Sequence, residues 1–547
     1  MLRSMQLENF KAFGQRTVIP LAPITLILGQ NSSGKSSILQ SLNMLKQTRE
    51  SRDVEALLLP RTENGFADLG SFQEMLFDHD PKRTLSIRLD IVQDVTQRGW
   101  GLNRRFLKRP KTLGLEFAFS RKKSEGEITL DGFKLCGDDS AGHIAVFEKC
   151  PMPREMRRYA VAPYQSERRR GTEFRAARCT QISSDPTYWQ PAYELSVREK
   201  ASLIDMLTEA RQTFHEERDI PRMRGLFDDE EQAGNERARV INALEDYIRF
   251  VTSEFTYNDY VQRMIREQLH QIVFLDGFIP TLSGHLDGDQ GLDLILLRVL
   301  KRPSLLREWS LNIGASSISV GRLVAQTLSA LFPLGPFRKP PSRWYIFTGT
   351  TPKDVGYQGH LLPDLLFRNN DLLNNTNEWL KTLDIGYEIK LHRLGRDRSS
   401  DLFELRLMDT RRKSPVEVGL SDVGFGISQI LPFVVQSLAA SDQIISVEQP
   451  EVHIHPKLQA DLGDLLIEAI KEPRRNQFII ETHSEHLVLR LQRRVREKKI
   501  SPDQISIVYV SRGPNGAIVQ PLRLDEEGDF MDDFPGGFFP ERLRELR

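Results

Sequence analysis

The hydrophobic pattern changes character along the chain. Residues 1–100 alternate short apolar runs with polar turns and contain one clear strand–loop–helix. An apolar strand at Ile24–Leu28 leads through a Gly- and Ser-rich loop into a helix over Lys35–Gln47. Residues 101–190 are mixed, with short β-like pieces such as Leu113–Phe119 and a basic section. Between 191 and 330, apolar residues recur at three- and four-residue spacing in Val197–Phe214, Glu236–Phe255 and Tyr260–Val273. An acidic turn at Asp228–Glu231 with Gly234 separates two of these, so a helical insertion is predicted. Residues 331–547 return to strands alternating with helices. Ile444–Val447 and Phe478–Ile480 are nearly continuous apolar runs, as strands buried on both faces of a mainly parallel sheet require. A helix at His455–Ala469 lies between them and makes a strand–helix–strand unit. The fold class expected is α/β.

A chain of 547 residues is longer than one compact core normally holds, so two or three structural units are expected. Lys plus Arg equals Asp plus Glu at 75 each, so an acidic or nucleic-acid partner would have to be met by a local patch. No apolar run is long enough to span a bilayer; Ile430–Leu438 falls far short. The N-terminus lacks the apolar region of a signal peptide. Cys136, Cys150 and Cys179 have no paired spacing, which argues against both a disulfide framework and a zinc site. A cytoplasmic setting without a membrane partner is the expectation.

The loop after the first apolar strand reads Gly29-Gln30-Asn31-Ser32-Ser33-Gly34-Lys35-Ser36, followed by Ser37. It matches G-x-x-x-x-G-K-S with the required strand before it and helix after it. Glycines let the backbone turn its N–H groups inward, and the helix N-terminus adds partial positive charge at the same point. Gly29, Asn31, Ser33, Gly34, Lys35, Ser36 and Ser37 are therefore expected to bind ATP. Lys35 would lie against the β- and γ-phosphates and Ser36 would hold Mg²⁺.

Four elements follow late in the chain in a fixed order. Leu420–Gly426 precedes a helix beginning near Ser428; the strand Ile444–Val447 ends in Glu448-Gln449-Pro450-Glu451; His453-Ile454-His455-Pro456 comes next; the strand Phe478–Ile480 runs into Glu481-Thr482-His483-Ser484. This order resembles the heads of ABC, SMC-like and overcoming-lysogenization-defect ATPases. The resemblance implies an ABC/SMC-type P-loop head whose N-terminal lobe is residues 1–100 and whose C-terminal lobe is 331–547. It further implies that Ser421, Gly424 and Gly426 contact the γ-phosphate held by a second copy, giving a head-to-head dimer glued by ATP. Glu448 would serve Mg²⁺ and His483 would be the switch histidine. His453 and His455 admit a metal site or packing of the connecting loop. In such heads the strand ends in Asp-Glu, whereas here the pair is Glu448-Gln449. A Gln amide orients water but accepts no proton. Slow hydrolysis is expected, with Glu451 close enough in sequence to substitute.

Asn9–Phe13, Gly335–Arg338 with Arg343 and Tyr345, Val355–Gly359, and the tail from Asp525 to Phe539 resemble one prokaryotic AAA-type family. Its members include ATPase subunits of Septu-type and retron-linked antiphage systems, which pair with an HNH nuclease. That resemblance implies a defence-complex switch that regulates a nuclease carried by another chain, since this sequence shows no nuclease site of its own. Gln73, within Asp68–Gln73, falls where a Mg²⁺-sensing Q-loop residue is expected. Arg168, Arg169, Arg170 and Arg175 lie among Tyr159, Tyr164 and Phe174, a mixture suited to phosphates and stacked bases or to a solvated, salt-bridging face. The rival readings are an SMC-like repair ATPase acting on DNA ends and a non-hydrolysing ATP-dependent scaffold. The insertion shows neither sustained heptads nor a Cys-x-x-Cys apex for the former.

Overall fold

The computed structural model describes residues 1–51, 56–63, 65–92, 112–121, 127–137, 143–151, 187–192, 271–276, 278–285, 305–394 and 401–535, with scattered positions between 205 and 248. The chain forms two compact units. One comprises Met1–Val92, Ala118–Thr129 and Val324–Arg547; the other comprises Gln93–Phe117 and Leu130–Leu323.

The first four strands are β1 (Leu2–Glu8), β2 (Thr17–Pro20), β3 (Ile24–Gly29) and β4 (Leu85–Val92). Then come β5 (Thr112–Arg121), β6 (Ile128–Cys136), β7 (His143–Pro151), β8 (Thr187–Ala192), β9 (Gln271–Asp276) and β10 (Ile279–His285). After the helix Leu305–Ala330 follow β11 (Leu331–Leu334), β12 (Tyr345–Ile346), β13 (Tyr387–Arg393), β14 (Leu402–Asp409) and β15 (Glu417–Gly419). The last are β16 (Ile444–Glu448), β17 (Gln477–Glu481), β18 (Ile505–Gly513) and β19 (Gly516–Leu522).

The core sheet of the first unit has the order β11-β16-β17-β3-β18-β19. All neighbours are parallel except the β18–β19 hairpin. β3 therefore sits between two late strands, with Ile24 level with Phe478 on one side and Ile505 on the other. Its sequence Ile-Thr-Leu-Ile-Leu is buried throughout, because helices cover both faces of a parallel sheet and leave no side for polar residues. Phe433, from the helix Phe425–Ala439, meets Phe478 edge-on at 6.1 Å. Gln477 fastens the chain's start to this sheet: its amide donates to the carbonyls of Leu2 and Ala22 and accepts from Leu2 N–H. In the same unit β1 pairs antiparallel with β2 and β4. β12, β14 and β13 form a small sheet, with β15 on β14, over the rings of Phe347, Phe367 and Phe403.

In the second unit β6 to β10 pair antiparallel, each with the next. Helical positions at 205–212 and 238–248 fall within two of the stretches whose periodicity predicts helix. The third stretch differs. Gln271–Asp276, which overlaps the helix expected over Tyr260–Val273, is a strand that turns back at once into Ile279–His285. Ile272-Val273-Phe274-Leu275 is a short run of β-branched and aromatic residues, and hairpin pairing outweighs the weak helical spacing. The stretch 191–330 is accordingly mixed rather than wholly helical, and its end at Val324–Ala330 belongs to the first unit.

Candidate functional site

The carboxyl ends of β3, β16 and β17 lie side by side, and this is where open α/β sheets bind ligands. From β3 the chain turns sharply at Gly29, whose φ is 139°; a Cβ there would come within 2.0 Å of the Val510 carbonyl oxygen on β18. Gly34 is left-handed at φ 109° and caps the helix Lys35–Glu50, with an added Cβ only 2.8 Å from that of Ala12. Neither position accepts a side chain without displacing its neighbour. Ser32 also holds a positive φ of 57°. Arg512 steadies the outside of the loop by donating to the Ser32 carbonyl at 3.2 Å.

A cavity of about 400 Å³ opens over this loop. It is lined by Asn31, Ser32, Gly34, Lys35, Ser36 and Ser37 from the loop and the start of its helix, by Gln449 and Glu481 from the late segments, and by Lys11 with Ala12. Lys35 is 3% exposed and donates to the carbonyls of Gly29 at 3.0 Å and Gln30 at 2.7 Å. Burial holds its ammonium below the ordinary lysine range, while the charges of Glu481 and Glu451 work against that shift.

β16 and β17 each run one residue past their apolar stretch, so their last residues, Glu448 and Glu481, stand level in parallel register. Burial together with the neighbouring Glu481 charge pushes the Glu448 carboxyl up to about 7, with Arg338 opposing. Glu481 is raised by burial too, although the Ser36 hydroxyl hydrogen-bonds to it and Lys35 is near. Glu451 is buried and also raised by desolvation; its Oε1 accepts the His483 N–H at 2.7 Å. The second oxygens of both Glu451 and Glu481, and the Ser33 hydroxyl, are buried without a partner. Buried acceptors and hydroxyls in that state call for a ligand.

A nucleotide with Mg²⁺ fits these residues. The loop is bounded by two glycines at which a Cβ would strike Val510 or Ala12, and Ser36 with Glu481 and Glu448 offers hard oxygen donors. Among the described residues no three His, Cys, Asp or Glu side chains form a ready-made metal cage. Mg²⁺ needs no such cage, because it normally takes one or two carboxylates, phosphate oxygens and waters.

Gln449 occupies the cavity wall at φ 45°, with its N–H donating to the Glu481 carbonyl at 2.7 Å. The loop after it is tied down by Gln459, which donates to the Ile454 carbonyl and accepts from the Ser484 hydroxyl. His483 follows β17 at the surface; desolvation of its ring and the Lys35 charge hold its imidazole below the usual range. His453 and His455 serve packing here. His455 accepts the Lys457 N–H as a helix cap, and the His453 ring meets Phe425 edge-on at 5.2 Å.

The loop carrying Ser421, Gly424 and Gly426 does not line this cavity. Ser421 and Gly424 are exposed, and nothing lies within 4 Å of a Cβ added to Gly424. Gly426 is different: a Cβ there would come 2.3 Å from the His453 carbonyl oxygen, so this glycine is required by packing inside the chain. Gln73 is engaged locally. Its amide donates to the His79 carbonyl at 3.1 Å within a short capped turn, and it is not part of the cavity wall. Arg168, Arg169, Arg170 and Arg175 lie outside the described residues. Sequence reading overlooked Glu481, Lys11, Arg512 and Arg338 as site residues. For Glu481 a signal was present, since it ends a buried strand just as Glu448 does.

A family model described as AAA ATPase domain matches residues 1–107 and 362–488, somewhat under half of the chain. The DNA replication and repair protein RecF of Cyanothece sp. is 39% identical over 67 residues, which are 12% of this chain and 18% of that protein. The chain thus spans about a fifth of the length of this curated relative. Solved SMC head domains overlap nearly the whole chain at low similarity. One from Pyrococcus furiosus, with an extended coiled coil and bound to the C-terminal domain of ScpA, is 13% identical with a TM-score of 0.36, covering 95% of this chain and 96% of that one. One from Thermotoga maritima is 11% identical with a TM-score of 0.35, covering 96% and 99%. Superpositions that loose add nothing to the fold, which stands on the strand order and phosphate loop of the chain itself. The two ends of this chain carry an ATPase-type domain similar to the AAA ATPase family.

Proposed function

We propose that the protein is an ATP-binding switch whose domains pair head to head through nucleotide, with slow hydrolysis, and that it regulates a nuclease carried by another chain in an antiphage complex. The observation that supports it most is the meeting of Lys35, Ser36, Gln449 and Glu481 around one cavity although they are up to 446 positions apart in sequence. Lys35 would exchange its two loop carbonyls for β- and γ-phosphate oxygens. Ser36, Glu481 and Glu448 would hold Mg²⁺, which supplies positive charge to the phosphate oxygens. Gln449 orients the attacking water, and Glu451, two residues on with one unpartnered oxygen, takes its proton. A water-orienting amide beside an indirect base supports binding that outlasts many encounters before turnover.

The exposed Ser421 and Gly424, unused by the cavity of their own chain, suit contact with the nucleotide of a second copy. Light scattering tests this: Mg²⁺ with a non-hydrolysable ATP analogue is expected to double the mass of the wild type but not of Ser421→Arg. An unchanged mass with bound nucleotide would remove the head-pair reading. The short match to a DNA repair protein supports a second reading, an ATPase acting on DNA; severalfold stimulation of turnover by duplex ends would favour it.

A further inference from the structure

The segments Gly335–Lys339 and Tyr357–Gln358 lie side by side, joined by Gly335 N–H to the Tyr357 carbonyl and Lys339 N–H to the Gln358 carbonyl, each at 2.9 Å. The first of them follows directly on β11, whose last residue, Leu334, is level with Val447 of β16. The loop therefore leaves the sheet beside Glu448. It is held tightly: the Tyr357 ring would lie 2.8 Å from a Cβ on Gly335.

Arg338 stands in the middle of this loop and is 5% exposed. Only its Nη1 is bonded, donating to the Pro336 carbonyl at 3.2 Å; Nε and Nη2 are buried with no acceptor. A guanidinium has five N–H donors in a rigid fork and cannot shed its charge, so two unmet buried donor atoms are costly unless something arrives to take them. The surroundings say what arrives. Arg338 feels the charges of Glu451 and Glu448, and Lys35 feels those of Glu481 and Glu451. Two buried cations thus approach Glu451 from separate segments, Lys35 from the phosphate loop and Arg338 from the far edge of the sheet. No oxygen of either carboxylate bonds Nε or Nη2. Burial lowers the guanidinium's pKa to about 10, in keeping with a cation whose counter-charge is incomplete.

We propose that Arg338 binds the terminal phosphate of the triphosphate held by its own chain, with Nε and Nη2 making paired hydrogen bonds to phosphate oxygens. This rests on the nucleotide-site reading above and deepens it. A planar fork matches a phosphate in a way that a lone ammonium does not. Arg338 does not line the cavity and leaves the inner phosphates to the loop, so a contact with the terminal phosphate would make it a discriminator of ATP from ADP.

Equilibrium binding of a non-hydrolysable ATP analogue and of ADP, each with Mg²⁺, tests this without reference to turnover. Arg338→Gln is expected to weaken the triphosphate by about tenfold or more while ADP changes less than about twofold. Arg338→Lys, which keeps the charge and the stem, should recover only part of the loss, and it carries the test if circular dichroism shows Arg338→Gln unfolded. Equal weakening of both nucleotides, or none of the triphosphate, would mean that Arg338 only pairs with Glu451 and would overturn the proposal. The two readings fail differently. If the wild type binds neither nucleotide, the site reading falls; if it binds both and Arg338→Gln discriminates as the wild type does, Arg338's role alone falls.

Discussion

The two walls of the cavity are built in opposite ways. On the phosphate-loop wall Lys35 already has partners, the carbonyls of Gly29 and Gln30. On the other side Glu481, which lines the cavity, and Glu451 and Arg338, which do not, keep buried polar atoms with no partner. The lysine of the loop is satisfied without ligand, although the Ser33 hydroxyl beside it is not; the carboxylate side is short of partners on three side chains. The loop is a pre-formed receptor, whereas the carboxylate wall is held in a costly arrangement that a cation and a phosphate would relieve. Affinity and metal response should therefore separate by mutation, because they reside on different walls.

The largest effect is expected on the receptor wall. Lys35→Ala should weaken ATP binding by about a hundredfold or more, read by calorimetry, since two charge-assisted phosphate contacts go at once. Melting of the nucleotide-free protein should change little, because only two hydrogen bonds to loop carbonyls are lost. If Lys35→Ala also destroyed the free protein, the two walls would not be independent.

Next in size is the water-facing position. Gln449→Glu restores a base beside the phosphates and should raise steady ATP turnover by about tenfold or more while affinity stays within a few fold. No gain would mean that Glu451 already supplies the base.

The smallest effect is on stability. Glu448 titrates near 7 in the folded chain against an ordinary 4.5, so between those values the folded state keeps a proton that the unfolded chain has lost. Stability of the nucleotide- and Mg²⁺-free protein should therefore fall as pH rises from about 4.5 to about 7 and level off above, by on the order of 1–3 kcal/mol. Glu448→Gln should flatten this slope and raise the melting temperature at pH 8. A slope of the opposite sign would contradict the picture of a strained carboxylate wall.

The same contrast explains what was readable in the sequence. The receptor wall is one contiguous motif: strand, two glycines at fixed spacing, Lys35, Ser36 and helix are all local, so pattern and chemistry coincide over a few residues. The carboxylate wall is assembled by sheet order. Glu448 could be found because its strand is apolar, but Glu481 emerges as its partner only when β16 and β17 lie in parallel register. Arg338 was visible as part of a family-like motif, yet nothing local says that its guanidinium ends up buried beside Glu448 and Glu451. Gln73 is the converse case. Its local context suggests a metal-sensing turn, and its amide donates to the His79 carbonyl six residues on. Gln271–Asp276 shows the usual ambiguity of a short apolar run, which only a pairing partner resolves.

The position of the metal tests the central claim most directly. Crystals grown with Mn²⁺ and a non-hydrolysable ATP analogue should show one anomalous peak about 2.1–2.2 Å from Ser36 Oγ, within reach of Glu481 and Glu448 directly or through one water. The β- and γ-phosphates should lie against Lys35. A peak away from Ser36, or a triphosphate bound elsewhere on the chain, would contradict the joining of the early loop and the late carboxylates into one site.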